Sequence, residues 1–195
     1  PATGKPNPSS MPAFFAAHPE TAPFLAWVKT AKPSASYATE TYNGINAFYL
    51  VAADGTRQAV RWEVVPQSQD AAGDTAPAGS DFLEQDLVRR LAAGPLRWQL
   101  NMTLANPGDP LDDASKTWSG AHKVLNAGTL VLQSSQPQAD GDCRDINFDP
   151  LILPSGIQAS NDPLLAARSA AYASSYLRRA GEVSPLHSAP QESKP

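Results

Sequence analysis

Leu164, Arg168, Tyr172 and Tyr176 recur every four residues near the end of the chain, and Arg179 follows seven residues after Tyr172. At helical spacing these side chains share one slightly drifting stripe. A phenol beside a guanidinium has definite chemistry. A free phenol ionises near pH ~10, so one that ligates ferric iron as phenolate needs a positive neighbour. Arg168 stands one turn before Tyr172, and an Arg does not give up its own proton. The competing reading is an ordinary Arg–Tyr surface contact, and spacing alone does not choose between the two.

Arg179 falls about 10 Å along the axis from Tyr172, at about 1.5 Å of rise per residue. That is about the distance from a haem iron to its propionate groups, and an Arg there would pair with a carboxylate. Beside the stripe the residues are small: Ala166, Ala167, Ser169, Ala170, Ala171, Ala173, Ser174 and Ser175. Such a face lets a large flat group, or another backbone, approach closely.

These residues need a helix, and its boundaries are visible. Pro163 suits a first helical position after Asp162, and Gly181 suits the stop, so the helix is expected over Asp162–Ala180. Upstream, Met11–Ala17 and His18–Ala31 read as short helices, the second with Pro23 in its first turn. Ile45–Val51 and Ala59–Val65 flank the turn Ala53-Asp54-Gly55-Thr56 and read as a hairpin. Asp81 and Glu84 have capping-box spacing, with Asp in place of Ser or Thr, ahead of a helix through Leu83, Leu87 and Leu91 that stops at Gly94. Leu96, Trp98, Leu100, Met102 and Leu104 alternate with Arg97, Gln99, Asn101 and Thr103, a period of two that marks a strand with one buried face. Val124–Gln133 reads as the next strand, with Ala127-Gly128 as a bulge. Cys143–Ile157 reads as irregular. The order of elements predicts an α+β fold. Residues 1–10 read as a linker and 182–195 as a flexible tail.

Composition bounds the function. The chain has 195 residues, 42% hydrophobic and 17% charged, which suits a globular core. A net charge of -4 leaves no electrostatic footprint for nucleic acid. The single Cys143 excludes an internal disulfide framework and a Cys-rich zinc site. No apolar stretch is long enough for a helical membrane span. The chain opens on Pro1, in PATGKPNPSS, and this start reads as a cut inside a longer protein. His18, His122 and His187 read as structural or surface residues, Trp27, Trp62, Trp98 and Trp118 as core or barrel-lining, and Asp109, Asp112 and Asp113 as an acidic loop rather than a cation site.

The segment NFDPLILPSGIQASNDPLLAARSAAYASSYLRR, residues 147–179, resembles the proximal region of the monofunctional haem catalases, and more narrowly that of the smaller catalase-related peroxidases. The linked elements are Phe148-Asp149-Pro150, the turn Pro154-Ser155-Gly156-Ile157, Ser160-Asn161-Asp162 with Leu165, and Arg168 with Tyr172. Upstream, TYNGINAFYLVAADG with VRWEVVP is similar to the family's barrel hairpin, and LVRRLAAGPLRWQLNMTLA to its helix and next strand. The resemblance covers nearly all of residues 11–180, and it makes 11–181 the C-terminal portion of a catalase-like haem domain, part of an antiparallel β-barrel with appended helices.

The resemblance implies haem b as cofactor, with Tyr172 as the axial ligand to iron, consistent with Tyr ligation in catalase. It implies that Arg168 hydrogen-bonds the phenolate and that Asp162 supports Arg168, commonly through a His of the hairpin. Asn46 stands at that His position, a departure that keeps hydrogen bonding but cannot carry charge. Phe148 and Leu164 correspond to apolar haem contacts, and Arg179 to the propionate-binding Arg, with Arg178 its substitute if the register slips by one. The implied activity is reduction of hydrogen peroxide or organic peroxides with an organic electron donor or a second peroxide, in a monomer or homodimer, often exported to the periplasm. The family's distal His and Asn lie upstream of the matched region, so this chain alone is expected to lack normal turnover. The alternative is a haem- or lipid-binding barrel module without peroxide turnover.

Overall fold

A computed structural model of the chain describes residues 7–32, 34–67, 79–137 and 142–181, with backbone only for 142 and 144. The chain divides into two compact units, Pro1–Ser34 and Ala35–Pro195. The first unit carries α1 (Ser10–Ala17), a short 3-10 turn over Pro19–Thr21, and α2 (Ala22–Val28). Neither helix has a buried residue. Trp27 is 61% exposed, beside Phe24 at 5.9 Å between ring centres, so it does not belong to the core expected for it. The expected tail and most of the expected linker lie outside the described residues.

The second unit is a six-stranded antiparallel sheet with two helices. Its strands are β1 (Tyr42–Asn43), β2 (Phe48–Val51), β3 (Arg57–Pro66), β4 (Leu96–Leu104), β5 (Val124–Leu132) and β6 (Ile157–Ala159). They lie in the order β5-β4-β3-β2-β6, with β1 also pairing β3. The hairpin turn closes where Ala52 N–H meets Thr56 O at 2.9 Å and Asp54 Oδ1 accepts from Thr56 N–H at 2.9 Å. Gly55 supplies the left-handed φ of 84° that this turn requires. Between β4 and β5 the pairing shifts from Leu100↔Gly128 to Asn101↔Asn126, which makes Ala127 the extra residue of the bulge.

The alternation along β4 continues across the sheet. Phe48, Leu50, Val60, Trp62, Met102 and Ile157 line one apolar concavity. On the other face Glu63 accepts from Asn101 at 3.1 Å, and Asn101 accepts from Gln99 at 2.7 Å. Val60 and Trp98 are buried, and each such side chain contributes about 1.5–3 kcal/mol. Catalogued by layer, this is the expected α+β arrangement, an open antiparallel sheet with helices beside it.

Helix α3 (Phe82–Ala93) is tied down by charge rather than by its cap. Asp81 makes no side-chain capping bond, against the capping-box expectation. Instead the buried Asp86 accepts from Ser36 Oγ, from Arg89 at 2.6 Å and from Arg90 at 2.7 Å, which joins α3 to the segment before β1. Helix α4 (Pro163–Ala180) follows β6 directly and carries the stripe of interest. No helix among the described residues is long and apolar enough to cross a membrane.

Candidate functional site

The site is built where β6 turns into α4. Antiparallel pairing sets Phe48 against Ala159, and Ser160 N–H continues the ladder to Ala47 O at 3.3 Å. That register carries Asn46 opposite the β6–α4 corner, where its side chain reaches Asp162 across 116 residues of sequence. Pro163 opens the helix, and Asp162 caps it by accepting from Leu164 N–H at 2.9 Å. Leu165, 1% exposed, anchors the first turn.

A single chain of hydrogen bonds runs from this corner along the helix. Asn46 Nδ2 donates to Asp162 Oδ2 at 3.0 Å. Asn46 Oδ1 accepts from Arg168 Nη1 at 3.0 Å. Arg168 Nη2 donates to the Tyr172 hydroxyl oxygen at 3.3 Å. The amide has one possible orientation here, since only its NH2 can face a carboxylate and only its carbonyl can face a guanidinium. Asn46 and Asp162 are buried, so their hydrogen bonds cannot be exchanged for water without cost. The Tyr172 end opens outward, at 37% exposure.

Tyr172 also lines a cavity of about 340 Å³ with Cys143, Asn147, Phe148, Ser175 and Arg179. Arg179 is steadied there by Ser175 Oγ at 2.7 Å and Ile146 O at 3.2 Å. The loop bearing Phe148 is pinned to α4 by Asp149, which accepts from Ser169 Oγ at 2.7 Å and from Leu151 N–H at 2.8 Å. Those two bonds hold the Asp149 carboxyl below the usual carboxylate range, the Ser169 bond most. Phe148 is 61% exposed, an apolar ring offered to the cavity.

The structure therefore gathers Asn46, Asp162, Arg168 and Tyr172 into one hydrogen-bonded chain, and Tyr172, Phe148 and Arg179 around one cavity. Leu164 lies on the first turn of α4, exposed and outside the cavity wall. Arg179, and not Arg178, lines the cavity. Asn147, Ser175 and Cys143 also belong to the wall, beyond the site residues that the resemblance implies. Ser175 was within reach of spacing arguments, being three residues after Tyr172 and four before Arg179. His18 bonds Glu20 at 2.8 Å in the first unit, and His122 bonds Asp109 at 2.8 Å in the connection between β4 and β5. His187 lies outside the described residues.

The donor set suits a planar, iron-bearing macrocycle better than a bare ion. Among the described residues no three His, Cys, Asp or Glu side chains gather to hold a metal. What the cavity offers is one phenolic oxygen backed by a guanidinium, an exposed aromatic ring, and a second guanidinium on the same helix. Asn147 Oδ1, in this wall residue, is buried without a hydrogen-bond partner. These residues fit haem.

Residues 1–185 match the family model described as Catalase. The chain belongs to the catalase family. It is 39% identical over 184 residues to a catalase-related peroxidase of Synechococcus elongatus, covering 92% of this chain and 54% of that protein. It is 33% identical over 150 residues to a catalase-related peroxidase of Mycolicibacterium paratuberculosis, covering 75% of this chain and 48% of that one. The chain thus spans about half the length of these two catalase-family relatives. Among solved structures, a bacterial catalase superposes with a TM-score of 0.71 at 21% identity, over 87% of this chain and 36% of that catalase. A fungal catalase superposes with a TM-score of 0.62 at 20% identity, over 76% of this chain and 32% of that one. The sheet and helices of the second unit are accordingly part of a catalase-type β-barrel fold.

Proposed function

We propose that this chain supplies the proximal half of a haem b site in an enzyme that reduces hydrogen peroxide or organic peroxides, with an organic electron donor or a second peroxide as reductant. The observation that carries this reading is the bond from Arg168 to the Tyr172 oxygen at the rim of a cavity that Phe148 and Arg179 share. Bound haem supplies the redox-active iron. Tyr172 would hold the iron through its phenolic oxygen, and Arg168 would stabilise negative charge on that oxygen. Asn46 and Asp162 hold Arg168 in place, with an amide relaying the carboxylate's orientation but not its charge. Phe148 would offer apolar contact from the cavity wall, Leu164 would do so only beyond that wall on the first turn of α4, and Arg179 would pair with a propionate. Movement of the peroxide proton falls to groups outside these residues. The relatives named as peroxidases support the peroxide chemistry. Export to the periplasm and a monomeric or homodimeric state complete the reading.

Titration of the chain with ferric haem, followed by its visible spectrum, tests the ligand. A high-spin ferric tyrosinate spectrum that disappears in Tyr172→Phe is expected. The same spectrum in wild type and Tyr172→Phe rejects Tyr172 as ligand. Peroxide consumption by the whole protein separates the enzyme from a binding module: haem uptake without turnover leaves only the second.

A further inference from the structure

The connection from Ala105 to Lys123, between β4 and β5, holds the acidic loop that the proximal site does not use. Each of its carboxylates has a protein partner. Asp109 accepts from Asn106 N–H at 2.6 Å and meets His122 at 2.8 Å. Asp113 accepts from Ser115 at 2.6 Å and pairs with Lys116 at 3.1 Å, within its own turn. Asp112 differs from both. It reaches out of the loop and accepts from the backbone N–H of Asn161 at 2.8 Å.

Asn161 is the residue before Asp162, at the corner where β6 becomes α4. The loop that bears Asp112 is itself fixed to the sheet. Arg61 of β3 donates to Lys116 O at 2.9 Å, Asp113 O at 3.3 Å and Pro110 O at 3.5 Å, and lies 4.6 Å over the Trp118 ring. Trp118 Nε1 donates to Pro110 O at 2.9 Å. A loop braced by Arg61 and Trp118 therefore bonds the backbone one residue before the carboxylate that caps α4 and accepts from Asn46.

We propose that Asp112 is a positioning residue for Tyr172: its bond to Asn161 fixes the β6–α4 corner, and so sets the Asp162–Asn46–Arg168 chain that ends on the phenol. The idea concerns geometry within the chain and stands whether or not Tyr172 ligates iron.

The test is carbon NMR of the full chain labelled at tyrosine Cζ, with the Tyr172 signal assigned by its loss in Tyr172→Phe. In Asp112→Ala the Tyr172 signal is expected to shift or split, and Asn161 N–H to exchange about tenfold faster, the scale of one lost hydrogen bond. Asp112→Asn keeps an oxygen acceptor and should restore both. Asp113→Ala, which leaves the Asn161 contact intact, should change neither. A Tyr172 signal unmoved in Asp112→Ala overturns the proposal, as does an equal shift in Asp113→Ala. If Asp112→Ala does not fold, exchange in the wild type decides: an unprotected Asn161 N–H overturns it and a protected one, with Asp112→Asn native, supports it. Haem titration is read separately, so failure of Tyr172 as ligand would leave this result unaffected.

Discussion

Asn46 and Arg168 are 122 residues apart in sequence and meet at 3.0 Å. That contact turns a helix-surface Arg–Tyr pair into the end of a buried network, because Asn46 also bonds Asp162 at 3.0 Å. Asn46→Ala removes both bonds and leaves a buried carboxylate oxygen with one partner fewer. We expect a loss of about 1–3 kcal/mol in chemical denaturation. Asn46→Asp keeps the shape but sets a carboxylate against Asp162, and should be the worse of the two near neutral pH. If Asn46→Ala matches the wild type in both denaturation midpoint and haem-loaded spectrum, the amide does not hold Arg168.

Much of this site was legible because its residues sit on one helix. A period of four and seven puts Arg168, Tyr172 and Arg179 on one stripe, and helix-capping preference marks Asp162 and Pro163, while the roles of these residues, and the choice of Asn46 and Phe148, came from the family resemblance. β4 was equally clear, since nine alternating residues leave no other period. What was not legible is short or depends on distant partners. β1 and β6 have two and three residues, too few to show alternation. The cap expected of Asp81 is absent, while Asp86 on the same helix makes the long-range ties. The Asp112–Asn161 bond has no local signal at all, for it depends on how the β4–β5 connection folds over Arg61.

Gly44 is predicted to be intolerant of a side chain, though its backbone is unstrained. A Cβ there would lie 2.4 Å from the Trp62 indole, and Gly44 N–H already donates to Trp62 O at 2.8 Å. Gly44→Ala must push either the ring or the strand aside, at about 1–3 kcal/mol. Asn46 is two residues on, so the same variant should also disturb the Tyr172 Cζ signal. A variant with native stability and an unmoved signal would show that Trp62 yields freely.

Asp86 is predicted to be the costliest polar residue to lose outside the site. It is 2% exposed and accepts from Ser36, Arg89 and Arg90. Asp86→Ala removes a buried carboxylate that joins α3 to Ser36 in the segment before β1, and breaking a buried charge cluster from one side costs about 3–5 kcal/mol. Asp86→Asn retains an acceptor and should lose less. Urea denaturation of the two variants orders them, and the opposite order would assign the tie to packing instead.

The remaining prediction concerns acid. Asp149 is held below its ordinary value of 3.8, first by the Ser169 hydroxyl and then by Leu151 N–H. A carboxyl depressed in the folded state contributes stability that is present above its unfolded value and is lost as pH falls through the folded value. The window therefore opens below about pH 4 and extends downward. In that window the Asp149–Ser169 tie should weaken before the sheet unfolds, leaving the loop bearing Phe148 held to α4 by the bond from Arg179 to Ile146 O. Asp149→Asn loses the charge at every pH, so its thermal midpoint should fall below the wild type's near neutrality and converge with it in strong acid. A constant gap between the two across the titration would mean that the Asp149 charge contributes nothing to holding the loop.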